Sequence, residues 1–143
     1  MKYFTTITIT LFLIFSMGCT STTKKKNTFT IVGTWSGVDE TGKKGSFIFD
    51  NEGYCILKIG KSIIGGKNYQ GKGSLEYKVN FNVRPIHLDL IAYKPDGRKR
   101  GQMLLIMKII DDKTIKIRMN FSKVRPRDFE NDIKKDIMIL RKE

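Results

Sequence analysis

Few side chains in this sequence have the type and spacing that chemistry needs. The chain has one His and two Cys, whereas the usual zinc clusters take three or four Cys and His ligands. His87 stands two residues from Asp89, so in a strand the two share a face. Such a pair can orient an imidazole, yet no Ser or Cys nucleophile is tied to it by a motif. A surface hydrogen bond is its expected use. Cys55 is followed by Ile56 and Leu57, the surroundings of a buried and inert thiol. Asp111 and Asp112 lack the further oxygens of a calcium loop. Gly60-Lys61-Ser62 ends like a phosphate-binding loop, but position 55 is Cys where that pattern needs Gly, and no helix follows. Neither enzyme chemistry nor a cofactor or metal is therefore expected.

Charge is the stronger signal. Lys and Arg number 27 against 14 Asp and Glu, a formal charge of +13. Lys94, Arg98, Lys99 and Arg100 cluster in one turn region, Lys116 and Arg118 alternate on one strand face, and Lys123, Arg125 and Arg127 follow. Such a surface attracts anionic lipid, polyanionic glycan or an acidic protein, or it simply keeps the domain soluble. Nucleic acid is not an expected partner, because the chain carries an export signal and has no interleaved aromatic platform for single strands.

The export signal is at the start. Lys2 precedes twelve uncharged residues, 4–15, too few for a bilayer span of about 20 residues and suited to a signal-peptide core. Gly18 then precedes Cys19. This junction resembles the processing site of bacterial lipoproteins, although Ser16 and Met17 fill the places usually held by Leu and by Ala or Ser. An ordinary cleavage before Cys19, leaving a free or paired thiol, is the alternative. Lipid on Cys19 would hold the domain on a membrane of the cell envelope. Residues 20–27 are polar and basic, as befits a tether.

What remains, 28–143, is one ordinary domain in length. It shows period-two alternation and no helical period of useful length. Strands are expected over 31–38, 46–50, 54–59, 75–83, 86–93, 103–110, 115–121 and 137–141. In 75–83, five apolar residues alternate with polar ones. In 103–110 the residues are almost continuously apolar, as if both faces were covered. The connection 60–73 is rich in Gly and Lys. Eight strands joined by short turns make an all-β antiparallel meander, closed as a barrel to remove its edges. A β-sandwich is the competing architecture. A monomer is the default state.

Gly33-Thr34-Trp35 opens the first strand and resembles the Gly-x-Trp signature of lipocalins and other calycin-type barrels. A longer order adds to it: Pro85 to Leu90, Asp111 to Ile115, Arg125 to Phe129, and Met138 to Arg141. Over residues 31–142 this is similar to a lipocalin-like domain family of bacteria, abundant in planctomycetes, with no assigned activity. The resemblance implies a barrel whose Trp35 sits at the closed end with Arg141 or Arg125 packed upon it. It carries no catalytic residue. Two functions then compete. In one, the barrel holds an apolar small molecule or acyl chain, with Tyr77, Val79, Phe81, Leu88, Leu90, Met103, Leu105, Met119 and Phe121 as candidate lining. In the other, the interior is filled and the basic outer surface binds an anionic partner.

Overall fold

A computed structural model describes residues 29–39, 42–119, 123–130 and 136–143. Cys19, the tether and Phe121 lie outside the described residues. Among the described residues nine strands are formed: β1 (Gly33–Val38), β2 (Lys44–Phe49), β3 (Cys55–Ile59), β4 (Ser62–Gly65), β5 (Ser74–Asn80), β6 (Ile86–Tyr93), β7 (Lys99–Asp111), β8 (Thr114–Arg118) and β9 (Ile137–Lys142). They build a single sheet in the order β4-β3-β2-β1-β9-β8-β7-β6-β5, with every pairing antiparallel. Apart from the β1–β9 pair, each neighbour is next in the chain. The expected meander is thus rolled up until its first and last strands meet, giving a nearly closed barrel.

The remaining seam lies between the two edge strands, β4 and β5. It is sutured by the backbone. Leu75 N donates to Gly66 O at 3.0 Å and Tyr77 N to Gly53 O at 2.8 Å. Tyr77 adds its hydroxyl to the Asp50 carbonyl at 2.6 Å and its ring edge to Phe49. Gly65 makes the close approach possible: a Cβ there would stand 2.4 Å from the Cys55 carbonyl and 2.8 Å from Leu75.

Alternation decides what points inward. Trp35, Phe47, Phe49, Leu57, Leu75, Leu88, Leu90, Leu105, Met107, Ile115, Ile117, Met138 and Leu140 form one continuous buried cluster. Burying a side chain of this size is worth about 1.5–3 kcal/mol, which is what selects the barrel's inner face. β7 has a second buried face. Ile106 points outward and is still fully buried, as the unbroken apolar run suggested.

Trp35 seals the end of the barrel where the N-terminal segment enters. Its indole N–H donates to the Ile31 carbonyl at 2.6 Å, and the Phe29 ring lies 5.9 Å away. The cation upon it is Lys142, with Nζ 5.2 Å from the ring, not Arg141 or Arg125. The Gly-x-Trp spacing has a local cause. Gly33 sits at φ +132°, and a Cβ there would come 2.7 Å from the Lys142 stem, so glycine leaves the passage through which Lys142 reaches the ring.

Several strand bounds differ from expectation: β1 begins at Gly33 rather than 31, β7 begins at Lys99 rather than 103, and β8 ends at Arg118 rather than 121. β5 ends at Asn80 rather than 83, because the Asn80 side chain accepts from Asn82 N and Arg84 donates to the carbonyls of Phe81 and Val83. These bonds make a local turn that competes with pairing. β4 lies in what reads as a connection. Its apolar pair, Ile63 and Ile64, is exposed on both faces, so no alternation marks it.

Candidate functional site

The candidate lining residues divide once the barrel is built. Leu88, Leu90 and Leu105 are fully buried within the core cluster. Tyr77, Val79, Met103 and Met119 pack against it, partly buried. Tyr77 is committed to the seam, and burial together with the Asp50 charge pushes its hydroxyl pKa up. Phe81 is not interior: it opens the turn after β5, is 40% exposed, and meets Phe29 edge-on at 6.1 Å. Leu88, Leu90 and Leu105 thus pack with the other buried side chains in one core cluster, and the four partly buried residues lie against it.

Two ion pairs hold the segment 123–130 against the outside of β6–β8. Arg125 reaches Asp89 at 2.6 Å and donates to the Leu105 carbonyl at 2.7 Å. It is this arginine, and not His87, that partners Asp89. Arg118 donates to the Asp128 carbonyl at 2.8 Å with only 13% of its side chain exposed. Arg118 is therefore a staple and leaves the basic surface to which the sequence had assigned it. Cys55 is fully buried, and desolvation drives its thiol pKa far above the ordinary value. Among the described residues no three His, Cys, Asp or Glu side chains are placed to hold a metal.

The basic hairpin between β6 and β7 stands apart. Lys94, Arg98, Lys99 and Arg100 are all exposed, but Arg98 is held by Asp96 at 2.7 Å, which also depresses the Asp96 carboxyl pKa.

The main concavity lies elsewhere, on the outside of β3-β2-β1-β9-β8. It is an open depression of about 1240 Å³, and its lining includes Ser36, Val38, Lys44, Lys58, Lys116 and Arg141. Strand register sets these residues in two rows. One runs Lys58, Ser46, Ser36, Arg141. The next runs Lys44, Val38, Ile139, Lys116. Both rows carry cations at the ends; the first has hydroxyls between them and the second has apolar side chains. Val38 and Ile139 are each 50% exposed. Phe129 forms part of the wall and holds Lys116, whose Nζ lies 5.3 Å from the ring. The Ser36 hydroxyl donates to the Glu143 carboxylate.

Lys116 and Arg141 were legible as cations, though Arg141 for another role. Lys44 and Lys58 were missed, because each is isolated in the sequence and only register joins them. A smaller concavity of about 420 Å³ lies at the barrel rim between Arg84, Pro85, Ile86, Met107 and Phe129. No family model matches the chain, and neither a curated protein nor a solved structure matches it.

Proposed function

We propose that this chain is a non-enzymatic interaction module of the bacterial cell envelope, held at a membrane through lipid on Cys19, which binds an anionic partner on the outer face of a lipocalin-like barrel. The observation that carries this reading is the division of labour between the two faces of the sheet. Inward positions are occupied by Trp35, Phe47, Phe49, Leu88, Leu90, Leu105, Met107 and Leu140, leaving the interior to packing. The concavity of about 1240 Å³ is outside, and four cations line it together with the carboxylates of Asp39 and Glu143. A drug-sized apolar ligand needs a pocket of roughly 300 Å³ or more, so a carrier role would require these core side chains to move aside.

The entry of the chain supports the arrangement. The described segment begins at Phe29, beside Trp35. β1 runs away from that end, so the residues closing β1 and opening β2, Val38 and Lys44, lie toward the opposite one. A tether at the Trp35 end would turn that part of the groove outward from the membrane.

The test is binding of a polyanion, poly-glutamate, by the full chain at low and raised salt. Binding that weakens with salt and is lost on combining Lys44→Glu with Lys116→Glu supports the reading. Equal binding by that variant overturns it. The anchor is tested separately. Cys19→Ala is expected to release the protein from membranes, and retention after a high-salt wash would refute lipid attachment.

A further inference from the structure

The spacing of the second row says more about the partner. Lys44, Val38, Ile139 and Lys116 belong to four successive strands, β2, β1, β9 and β8. At about 4.8 Å between strands, the two lysines are rooted about 14 Å apart, with Val38 and Ile139 at about 5 and 10 Å. An extended peptide advances about 3.4 Å per residue and shows alternate side chains to one face. Its residues i, i+2 and i+4 therefore stand at 0, about 7 and about 14 Å. An acid at i meets Lys44, an acid at i+4 meets Lys116, and an apolar residue at i+2 falls between Val38 and Ile139.

We infer that the groove docks an extended segment of a partner protein with the pattern acid-x-apolar-x-acid, laid across strands β2, β1, β9 and β8. This rests on the reading that the outer face is the binding face, and it names the partner's chemistry. Three features favour a peptide over a lipid or a glycan. The apolar floor is a short strip, Val38, Ile137 and Ile139 beside Phe129, which seats an aliphatic residue between the two lysines. The lining offers a sugar one aromatic ring, Phe129, and Lys116 already lies over it. The neighbouring row already holds a carboxylate of the chain itself, the Glu143 side chain on the Ser36 hydroxyl. Lys116 is itself oriented by Phe129, which lowers the entropy lost when it meets an acid.

The experiment uses the full chain and a labelled peptide containing Glu-Thr-Leu-Thr-Glu, followed by fluorescence anisotropy. The control has the same composition in the order Glu-Glu-Thr-Thr-Leu. The spaced peptide is expected to bind at least about fivefold more tightly than the control, a difference near 1 kcal/mol. The variant combining Lys44→Glu with Lys116→Glu is expected to lose that binding by about tenfold or more and to gain binding of Lys-Thr-Leu-Thr-Lys. This charge swap separates a register of contacts from general attraction, and near-ultraviolet circular dichroism checks that the variant stays folded. Equal affinity for the spaced peptide and the control overturns the inference while leaving an anionic partner in place. So does binding confined to vesicles of anionic phospholipid or to a sulfated polysaccharide. Failure to bind poly-glutamate, vesicles, polysaccharide and both peptides overturns the basic-face reading as well.

Discussion

Replacing Trp35 offers the most informative perturbation of the fold, because this one side chain joins three elements. It is fully buried, bonded through its indole N–H to the Ile31 carbonyl, covered by Phe29 and capped by Lys142 from β9. Trp35→Phe removes the N–H and strands the Ile31 carbonyl. Leaving a buried acceptor unpaired costs about 1–3 kcal/mol. The smaller ring adds about 1 kcal/mol for the space it fails to fill. The expected loss is thus about 2–4 kcal/mol, with about 3–5 kcal/mol or more for Trp35→Ala, where the whole ring is deleted. For a domain of this size such a loss lowers the melting temperature by roughly 10 °C or more. Urea denaturation followed by far-ultraviolet circular dichroism reads both variants. The chain has a single Trp, so the wild-type protein adds an independent test. Its emission is expected to be blue-shifted and shielded from acrylamide until unfolding. A Trp35→Ala variant with an unchanged urea midpoint, or native emission freely quenched by acrylamide, would refute the packing of the sealed end.

Other positions yield sharp expectations. Gly37→Val is expected to destabilise the barrel by about 1–3 kcal/mol or more through overpacking, since even a Cβ would stand 2.3 Å from the Ile139 carbonyl and 2.9 Å from Leu140; a midpoint equal to wild type would show that β1 and β9 do not approach as described. Arg125→Met leaves Asp89 without its charge partner and releases the Leu105 carbonyl, at an expected cost of about 2 kcal/mol given that both side chains keep some exposure to water. Proteolysis of the 123–130 segment should accelerate in the same variant, and unchanged cleavage would contradict its role as a strap. In a Cys19→Ser background, Cys55 is expected to be silent to thiol reagents at pH 8 until the protein unfolds, because burial keeps the thiol protonated and covered. Prompt labelling of the native protein would place Cys55 outside the core.

The period-two pattern carried most of the architecture, because an inward face buried on one side of a sheet must alternate. The rolled meander follows from short turns and from the need to hide edges. What the pattern could not show is where alternation is interrupted by local bonding. The last residues of the 75–83 run alternate as well as the first, yet the Asn80 and Arg84 side chains capture the backbone and Phe81 leaves the interior. β4 was invisible for the opposite reason: both its isoleucines are exposed, so burial left no mark on the sequence. The charged residues illustrate a further limit. Arg118 and Lys116 differ little in sequence, and only the path of residues 123–130 buries one against Asp128 and leaves the other beside Phe129 at the groove. The groove itself is a product of register, assembled from single lysines that lie on separate strands and carry no common motif.

In the proposed reading the barrel is filled and its outside does the work. Native mass spectrometry of the protein purified from its own host without detergent, compared with its denatured mass, tests this most directly. The native folded domain is expected to carry no small molecule that denaturation releases, before or after incubation with a lipid extract. A bound apolar molecule released on unfolding, at one copy per chain and retained by the Lys44→Glu, Lys116→Glu variant, would contradict it and return the function to the interior.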